Sequence, residues 1–269
     1  MPILSLHHLT MIDAHPLQLI DAAAAGGFNH CGIRLVAPRP GDPLIDIAGD
    51  VAAVREVGRR LKDTGIRLLD IEAIWLGPAT DIETLRRPLA AGAELGARYV
   101  LAVGYDDDRF RLTENFGRLC DLAAQHGMTV MLEFITYCSI RTLGEARALV
   151  EESGRRNAGV LIDTLQFFRS GARPGDLDAV PPDLLHYMQL CDAPRDGPTS
   201  IDARRHEART DRRLPGAGEL PLDELLRHLP ANIPISLEAP TAALRGRRYA
   251  EQGRIAGEAM RTFLAALNR

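Results

Sequence analysis

The feature that most constrains the fold is an alternation of eight short β-type runs with helical segments. The runs cover residues 3–9, 30–36, 67–75, 98–104, 129–135, 158–163, 185–193 and 233–239. Between them, Ala, Leu and Arg recur at helical spacing, and several segments end at a glycine where a helix C-cap belongs. Such alternation predicts parallel strands joined by right-handed helical crossovers.

Eight such units in 269 residues favour a single (β/α)8 TIM barrel over a doubly wound sheet. No G-x-G-x-x-G sequence follows the first run, so no nucleotide cofactor is expected. Neither a linker nor an internal repeat is visible. The sequence therefore predicts one domain over residues 1–269.

Net charge and composition limit the kinds of molecule that the protein is expected to bind. The net charge is −4 and the chain has no block of five or more basic residues, which argues against nucleic acid and anionic membranes. No apolar run approaches the ~20 residues of a membrane span, and the first residues lack a basic leader region, so we expect a cytoplasmic protein. The four cysteines are far apart, which indicates buried, reduced thiols.

Lysine is nearly absent, since Lys62 is the only one. It lies in REVGRRLKDTG, which has the pattern of a helix end near solvent. A P-loop needs a lysine beside its phosphates, and a Schiff-base aldolase needs one in its pocket. Both classes are therefore disfavoured.

Polar residues end the last four predicted strands: Glu133 in VMLEFI, Asp163, Gln189 and Glu238. Barrel enzymes place their chemistry at this C-terminal rim. Three carboxylates brought together there would repel one another unless a cation held them, so the pattern predicts a divalent metal site. Taken singly, Asp163 could be a plain helix N-cap, and a buried glutamine more often satisfies backbone groups than binds a metal.

The chain resembles the xylose isomerase-like TIM barrel superfamily, which includes sugar epimerases, inosose dehydratase, 3-dehydroshikimate dehydratase and endonuclease IV. The resemblance rests on VMLEFI, VLIDTLQF, HYMQLCDAPRD, EARTDRRLPGAGELPLDELL and PISLEAP, in that order. It implies one Mn²⁺, Mg²⁺ or Co²⁺ ion held by Glu133, Asp163, Gln189 and Glu238. Gln189 replaces the commoner histidine, as in some dehydroshikimate dehydratases, and an all-oxygen shell favours Mg²⁺ or Mn²⁺.

Other rim residues suit a polar substrate. Arg34 and Glu72 interrupt apolar strands, and Trp75 could form a pocket wall. By resemblance, Gln166 occupies the position of a substrate-binding histidine, and Arg195 matches an arginine that epimerases use on substrate. Relatives also use one basic residue in the loop of EARTDRRLPG; Arg212 is the candidate, with Arg209 and Arg213 left open. One of His7 and His8 should face the barrel mouth, but the sequence does not choose between them.

The leading hypothesis is a metal-dependent isomerase or epimerase of a small keto-sugar or related carbohydrate acid, acting through an enediolate. By resemblance, Glu133 and Glu238 act as base and acid on opposite faces of the substrate. A dehydratase (lyase) of the dehydroshikimate or inosose type is the closest alternative. Gln189 and the EARTDRRLPG loop favour it, whereas Gln166 cannot shuttle a proton at neutral pH.

Two further classes are weaker. A nuclease similar to endonuclease IV would need a histidine-rich cluster for several metals and a basic face, and the sequence shows neither. A non-catalytic ligand-binding barrel would be plausible had the carboxylates been lost. Relatives are often dimers or tetramers, so a homo-oligomer is an expectation by resemblance.

Overall fold

A closed barrel of eight parallel strands forms the centre of the molecule, in the computed structural model that describes residues 2–39, 41–42 and 44–267. The strands follow one another in chain order and β8 pairs with β1. They are β1 Leu4–Leu6, β2 His30–Arg34, β3 Arg67–Leu76, β4 Tyr99–Gly104, β5 Thr129–Glu133, β6 Ala158–Asp163, β7 Met188–Leu190 and β8 Ile235–Leu237. The predicted (β/α)8 fold is confirmed.

Helices surround this barrel. They are α1 Pro16–Ala25, α2 Val51–Thr64, α3 Arg86–Glu94, α4 Arg109–Ala124, α5 Leu143–Ser153, α6 Thr164–Arg169, α7 Ile201–Thr210, α8 Leu222–Arg227 and α9 Tyr249–Ala266, with 3-10 turns at His8–Met11, Ile82–Leu85, Pro174–Ala179 and Pro182–Leu184. The helix ends follow local chemistry. Asp50 caps α2 and Thr142 caps α5, and both helices end at a left-handed glycine, Gly65 and Gly154.

Three strands are shorter than the apolar runs predict, because β1, β7 and β8 pair over only three residues each. After Leu6 the chain turns into a 3-10 helix whose N-cap is His7. Beyond β7, Asp192 forms an isolated bridge with Arg213, and beyond β8 the carbonyl of Pro240 accepts a hydrogen bond from the backbone N–H of Arg212. Apolar runs continue into these rim loops because the loops are themselves buried.

Apolar side chains fill both the barrel and the layer outside it. The inner group consists of Leu69, Ala73, Tyr99, Leu101, Met131, Leu161 and Tyr187, and a larger group lies between strands and helices. The first and last helices, α1 and α9, pack closely. A Cβ on Gly253 would overlap the carbonyl of Ala22, and one on Gly257 would overlap that of Gly26, so only glycine allows this approach.

Register brings the polar strand residues to one level. Asp163 pairs with Gln189, Gln189 with Ser236, and Ser236 with Ser5. Neighbours in register point to the same face of a sheet, so the side chains of Asp163 and Gln189 lie side by side inside the barrel.

The cysteines and the helices can be compared with what the sequence predicts. The four cysteines are free and buried, as predicted. Within the described part of the chain, no helix is long and apolar enough to cross a membrane. The single domain over residues 1–269 stays a prediction; positions 1, 40, 43, 268 and 269 lie outside the described residues.

Candidate functional site

Three buried carboxylates converge at the C-terminal mouth of the barrel. Glu133 ends β5, Asp163 ends β6 and Glu238 follows β8, and one ligand atom of each lies within 4.8 Å of the others. None is more than 5 % exposed. The structure therefore brings together, from strands distant in sequence, the three acidic residues that were predicted as metal ligands.

Gln189 lies next to them and has no partner of its own. It is fully buried, it pairs in register with Asp163, and neither its amide oxygen nor its amide nitrogen has a hydrogen-bond partner. A buried glutamine more often forms hydrogen bonds with backbone groups, but the side-chain amide of Gln189 forms none. An unsatisfied buried amide costs on the order of 1–3 kcal/mol, so it points to a ligand for the oxygen.

Arg212 lies against the same carboxylates. Its Nη1 is 2.6 Å from Oδ2 of Asp163 and 2.8 Å from Oε2 of Glu238, and its Nε donates to the carbonyl of Ala208. The contact with Glu238 lacks hydrogen-bond alignment, which leaves Oε2 of Glu238 without a directed partner. Asp163 also caps α6, because its Oδ1 accepts from the N–H of Gln166 at 2.8 Å. Asp163 therefore caps α6 and pairs with Arg212, and it is also one of the three clustered carboxylates.

Two of the three carboxyl groups, Glu133 and Glu238, have a raised pKa. Burial and the neighbouring Asp163 raise the pKa of Glu133 well above its ordinary value. Burial also raises the pKa of Glu238, although Arg212 opposes the rise. A further positive charge beside Glu133 and Glu238 would therefore favour their ionised forms.

His7 connects the acidic group to a second one. Its Nδ1 lies 3.0 Å from Oε1 of Glu238, and its Nε2 lies 3.1 Å from Oε1 of Glu72, the latter without good hydrogen-bond alignment. Burial, with Arg34 and Arg212 nearby, lowers the pKa of His7 well below its ordinary value. Nδ1 of His7 also accepts a hydrogen bond from the backbone N–H of Leu9 at 3.3 Å, so it faces Glu238 as an acceptor, and any proton between the two would sit on the carboxyl.

The second group lies on β3. His7, Asp70 and Glu72 each place a ligand atom within 4.8 Å of the others, and Oδ2 of Asp70 accepts from the hydroxyl of Tyr187 at 3.2 Å. Burial raises the pKa of Asp70 to about 7 and that of Glu72 to about 8. A Cβ on Gly32 would lie 2.6 Å from Oδ1 of Asp70, so glycine at this position makes room for the carboxylate.

A cavity opens over these groups. Its wall includes Glu133, Glu238, His7, Glu72, Arg34, Trp75, Gln166, Tyr137, Arg209 and Arg212. Oε1 of Gln166 accepts from the N–H and the hydroxyl of Thr136, at 3.2 and 3.3 Å, so its amide NH2 is the end left to donate. Trp75 forms the aromatic wall, with its ring 5.1 Å from that of Tyr105.

Other sequence candidates lie elsewhere. Arg195 is exposed and is not part of the cavity wall, so the structure does not bring it into the site. Arg209 lines the cavity but is paired with Asp42 at 3.1 Å. Arg213 is outside the wall, and its Nη1 donates to the carbonyl of Ala217. Of the three arginines of this loop, Arg212, the candidate, is the one in contact with the carboxylates.

Sequence reasoning left His7 unassigned and missed Asp70. His7 could not be separated from His8 because β1 is too short to give a clear alternation. His8 instead accepts from the N–H of Arg34 and bonds the carbonyl of Ala14, both at 2.9 Å. Asp70 could have been found from D-x-E in LLDIEAIW, since residues two apart on a strand share a face.

A family model described as "Xylose isomerase-like TIM barrel" matches residues 20–266. The chain belongs to the xylose isomerase-like TIM barrel family. The match extends from within α1 to the last residue of α9, so it includes every residue of the site except His7.

Curated relatives of this family member carry one name. An inosose isomerase from Halalkalibacterium halodurans is 29% identical over 142 residues, covering 49% of this chain and 48% of the relative. An inosose isomerase from Bacillus licheniformis is 27% identical over 158 residues, covering 55% of each chain. The alignments thus span about half the length of these relatives.

Solved structures extend the likeness to the whole chain. The IOLI protein with a bound zinc atom superposes with a TM-score of 0.79 at 19% identity, covering 99% of both chains. D-psicose 3-epimerase in the presence of D-fructose gives a TM-score of 0.75 at 18% identity, covering 100% of both. At such identities these likenesses concern the fold alone.

Proposed function

We propose that the protein is a divalent-metal-dependent isomerase or epimerase of a small keto-sugar or a related carbohydrate acid. The observation that carries this proposal is the approach of Glu133, Asp163 and Glu238 within 4.8 Å, beside the unpaired amide of Gln189. The names of the relatives, inosose isomerase and D-psicose 3-epimerase, point to the same class of enzyme.

Charge balance supports a divalent ion. The three carboxylates carry three negative charges when ionised, and Arg212 returns one positive charge. Two negative charges remain on buried carboxylates, which is costly unless a cation with two positive charges joins them. The alternative, in which Arg212 alone explains the carboxylates, leaves both this excess charge and the orphaned Gln189 oxygen without an account.

The donor set also fits a hard ion. Carboxylate oxygens of Glu133, Asp163 and Glu238 and the amide oxygen of Gln189 would hold the metal, and oxygen donors favour Mg²⁺ or Mn²⁺. When bound, the ion supplies Lewis-acid polarisation of the ketone and hydroxyl oxygens of the substrate. The remaining chemistry belongs to the side chains.

Glu133 is the group suited to remove the proton next to the substrate carbonyl. Its carboxylate lines the cavity and has no hydrogen-bond or ion-pair partner among the described residues, so one oxygen can face the substrate. Burial raises the pKa of Glu133 in the metal-free protein, and a bound cation would lower it again and so provide the ionised form that a base requires.

Glu238 is suited to return the proton on another face, since β8 and β5 lie in different parts of the barrel wall. Its Oε1 lies 3.0 Å from Nδ1 of His7, so this imidazole nitrogen is placed to exchange a proton with the carboxyl during the reaction. The free NH2 of Gln166 would orient a substrate hydroxyl by donating to it. Return of the proton to the opposite face of the same carbon gives epimerisation, and to the next carbon gives isomerisation.

Proton NMR in D2O tests this function. Metal-stripped protein is supplied with candidate ketoses and 3-dehydroshikimate, with and without Mn²⁺. We expect metal-dependent solvent deuterium at the carbon next to the carbonyl, together with an epimer or isomer. A dehydrated product would assign the protein to the lyase alternative, and a protein that stays inert with Mn²⁺ across the set would contradict the proposal.

A further inference from the structure

We propose that Ser236 and Ser5 bind an ordered water molecule inside the barrel, and that this water holds the side-chain amide of Gln189 with its oxygen toward the metal. The two serines are therefore positioning residues, because they act on the metal through Gln189. This inference deepens the proposed metal-dependent function and rests on it, but the water site can also be tested without a metal.

The three side chains lie side by side on neighbouring strands. Gln189 of β7 pairs in register with Ser236 of β8, and Ser236 pairs with Ser5 of β1. Neighbours in register point to the same face of a sheet, so the three side chains form one polar row. Glu238 follows Ser236 by two residues and His7 follows Ser5 by two, so the row faces the interior directly below the site.

Every side chain of the polar row is buried without a partner. Gln189, Ser236 and Ser5 are all 0 % exposed. Neither serine hydroxyl, nor either end of the Gln189 amide, has a hydrogen-bond partner among the described residues. Buried hydroxyls and amides are nearly always hydrogen-bonded to protein or to ordered water. Three unpaired groups in adjacent positions therefore point to one shared partner.

The size and chemistry of the row fit a water molecule. Inward positions of a TIM barrel are usually filled by branched apolar side chains. Ser236 and Ser5 present small hydroxyl side chains there instead, which leaves room beside them. A buried water needs two to four polar partners, and the row supplies two hydroxyls and the NH2 of an amide. The row has no charged side chain, so it offers nothing to offset the dehydration of an ion.

The water fixes which end of the Gln189 amide faces the metal. On the other side of Gln189, both oxygens of Asp163 already accept hydrogen bonds. Oδ1 accepts from the N–H of Gln166 at 2.8 Å, and Oδ2 accepts from Nη1 of Arg212 at 2.6 Å. The NH2 of Gln189 therefore donates toward Ser236, through the water, and its oxygen is left to join the carboxylates as a ligand. Outer partners of this kind orient metal ligands, and losing one typically lowers metal affinity by about tenfold or more.

The Mn²⁺ affinity of serine variants, measured by electron paramagnetic resonance, tests the positioning role. Ser236→Ala removes the hydroxyl next to Gln189 and should weaken Mn²⁺ binding by about tenfold. Ser236→Thr keeps a hydroxyl and should restore most of the affinity. Ser153→Ala is the matched control, because Ser153 is also buried, in α5, and its hydroxyl donates to the carbonyl of Val150 at 2.7 Å. This variant should bind Mn²⁺ as the parent does.

Urea unfolding in EDTA tests the water site without a metal. Ser5→Ala and Ser236→Ala should each raise the unfolding equilibrium constant by about fivefold, because each removes a satisfied hydroxyl. Since both hydroxyls bind the same water, the effect of the double variant should be smaller than the product of the single effects by about threefold or more. If Ser236→Ala does not fold, Ser5→Ala decides the matter by the same two measurements.

Three results would overturn the inference. The first is an unchanged Mn²⁺ affinity in Ser236→Ala. The second is a metal-free Ser5→Ala or Ser236→Ala variant as stable as the parent or more so, because a hydroxyl without a partner costs nothing to remove. The third is a double variant whose effect equals the product of the single ones. A parent protein that binds no Mn²⁺ would contradict the proposed function and the positioning role with it, and the unfolding data would still decide the water site.

Discussion

Replacing Arg212 by methionine separates a metal centre from a simple buried ion-pair network. The variant loses the contacts of 2.6 Å to Asp163 and 2.8 Å to Glu238, and it leaves three buried carboxylates without a cation. Removing one partner of a buried pair costs about 3–5 kcal/mol. We therefore expect the free energy of unfolding of the metal-free protein to fall by about that amount at pH 8.

Mn²⁺ should reverse much of this loss. At a concentration 100 times the dissociation constant, a bound ion stabilises the parent protein by about 2.7 kcal/mol. The variant site carries one more uncompensated negative charge, so its gain at the same Mn²⁺ concentration should be larger. Urea unfolding in EDTA and in Mn²⁺ measures both quantities.

Arg169→Met is the matched control. Arg169 is also largely buried, and its Nη2 lies 2.6 Å from Oε1 of Glu207, outside the cavity wall. This variant should lose stability without any added response to Mn²⁺. The reasoning is refuted if Arg212→Met and Arg169→Met respond to Mn²⁺ equally, or if Arg212→Met costs less than about 1 kcal/mol in EDTA.

Three further outcomes follow from individual contacts. Burial lowers the pKa of His8 to about 4, so the folded protein binds a proton at His8 less readily than the unfolded chain does. The contribution of neutral His8 to the free energy of unfolding is therefore present at neutral pH and falls by about 2 kcal/mol between pH 7.5 and 5. In urea unfolding, His8→Gln should remove this part of the pH dependence. Gly257→Ala should lower the free energy of unfolding by about 1–3 kcal/mol, because its Cβ would overlap the carbonyl of Gly26. Gly58→Ala in α2, whose Cβ would meet only Leu95 at 3.6 Å, should raise the free energy of unfolding by up to about 1 kcal/mol. Similar values for the two variants would contradict the packing argument. His7→Phe should slow metal-dependent deuterium exchange by about 10²-fold without changing the amount of bound Mn²⁺, because His7 Nδ1 lies 3.0 Å from Glu238. An unchanged rate would exclude His7 from the proton transfer.

The barrel and its acidic centre were accessible from sequence because both depend on strand ends. Eight apolar runs give the number and direction of the strands, and a polar residue at the end of a parallel strand must lie at the C-terminal rim. Glu133, Asp163 and Glu238 follow from this without knowledge of any loop. The same logic placed Arg34 and Glu72 at the mouth.

The remaining features depend on details that apolar runs do not encode. β3 shifts register between Leu68 and Asp70 relative to β2, and again between Ile71 and Ile74 relative to β4, so alternation along this strand does not give the direction of every side chain. The expectation for Arg195 came from resemblance, through its spacing from Gln189. Arg195 lies on an exposed loop, and spacing does not fix the path of such a loop. Arg212 contacts the site because its loop folds back over the barrel through the hydrogen bond of its N–H to Pro240.

Mn²⁺ binding to metal-stripped protein, measured by electron paramagnetic resonance, tests the central claim most directly. We expect one Mn²⁺ per chain in the parent protein. Gln189→Leu should weaken binding by about tenfold or more while the fold stays intact, because the substitution removes an amide that no protein group satisfies. A parent protein that binds no Mn²⁺, or a Gln189→Leu variant with unchanged affinity, would contradict the metal centre proposed for Glu133, Asp163, Gln189 and Glu238.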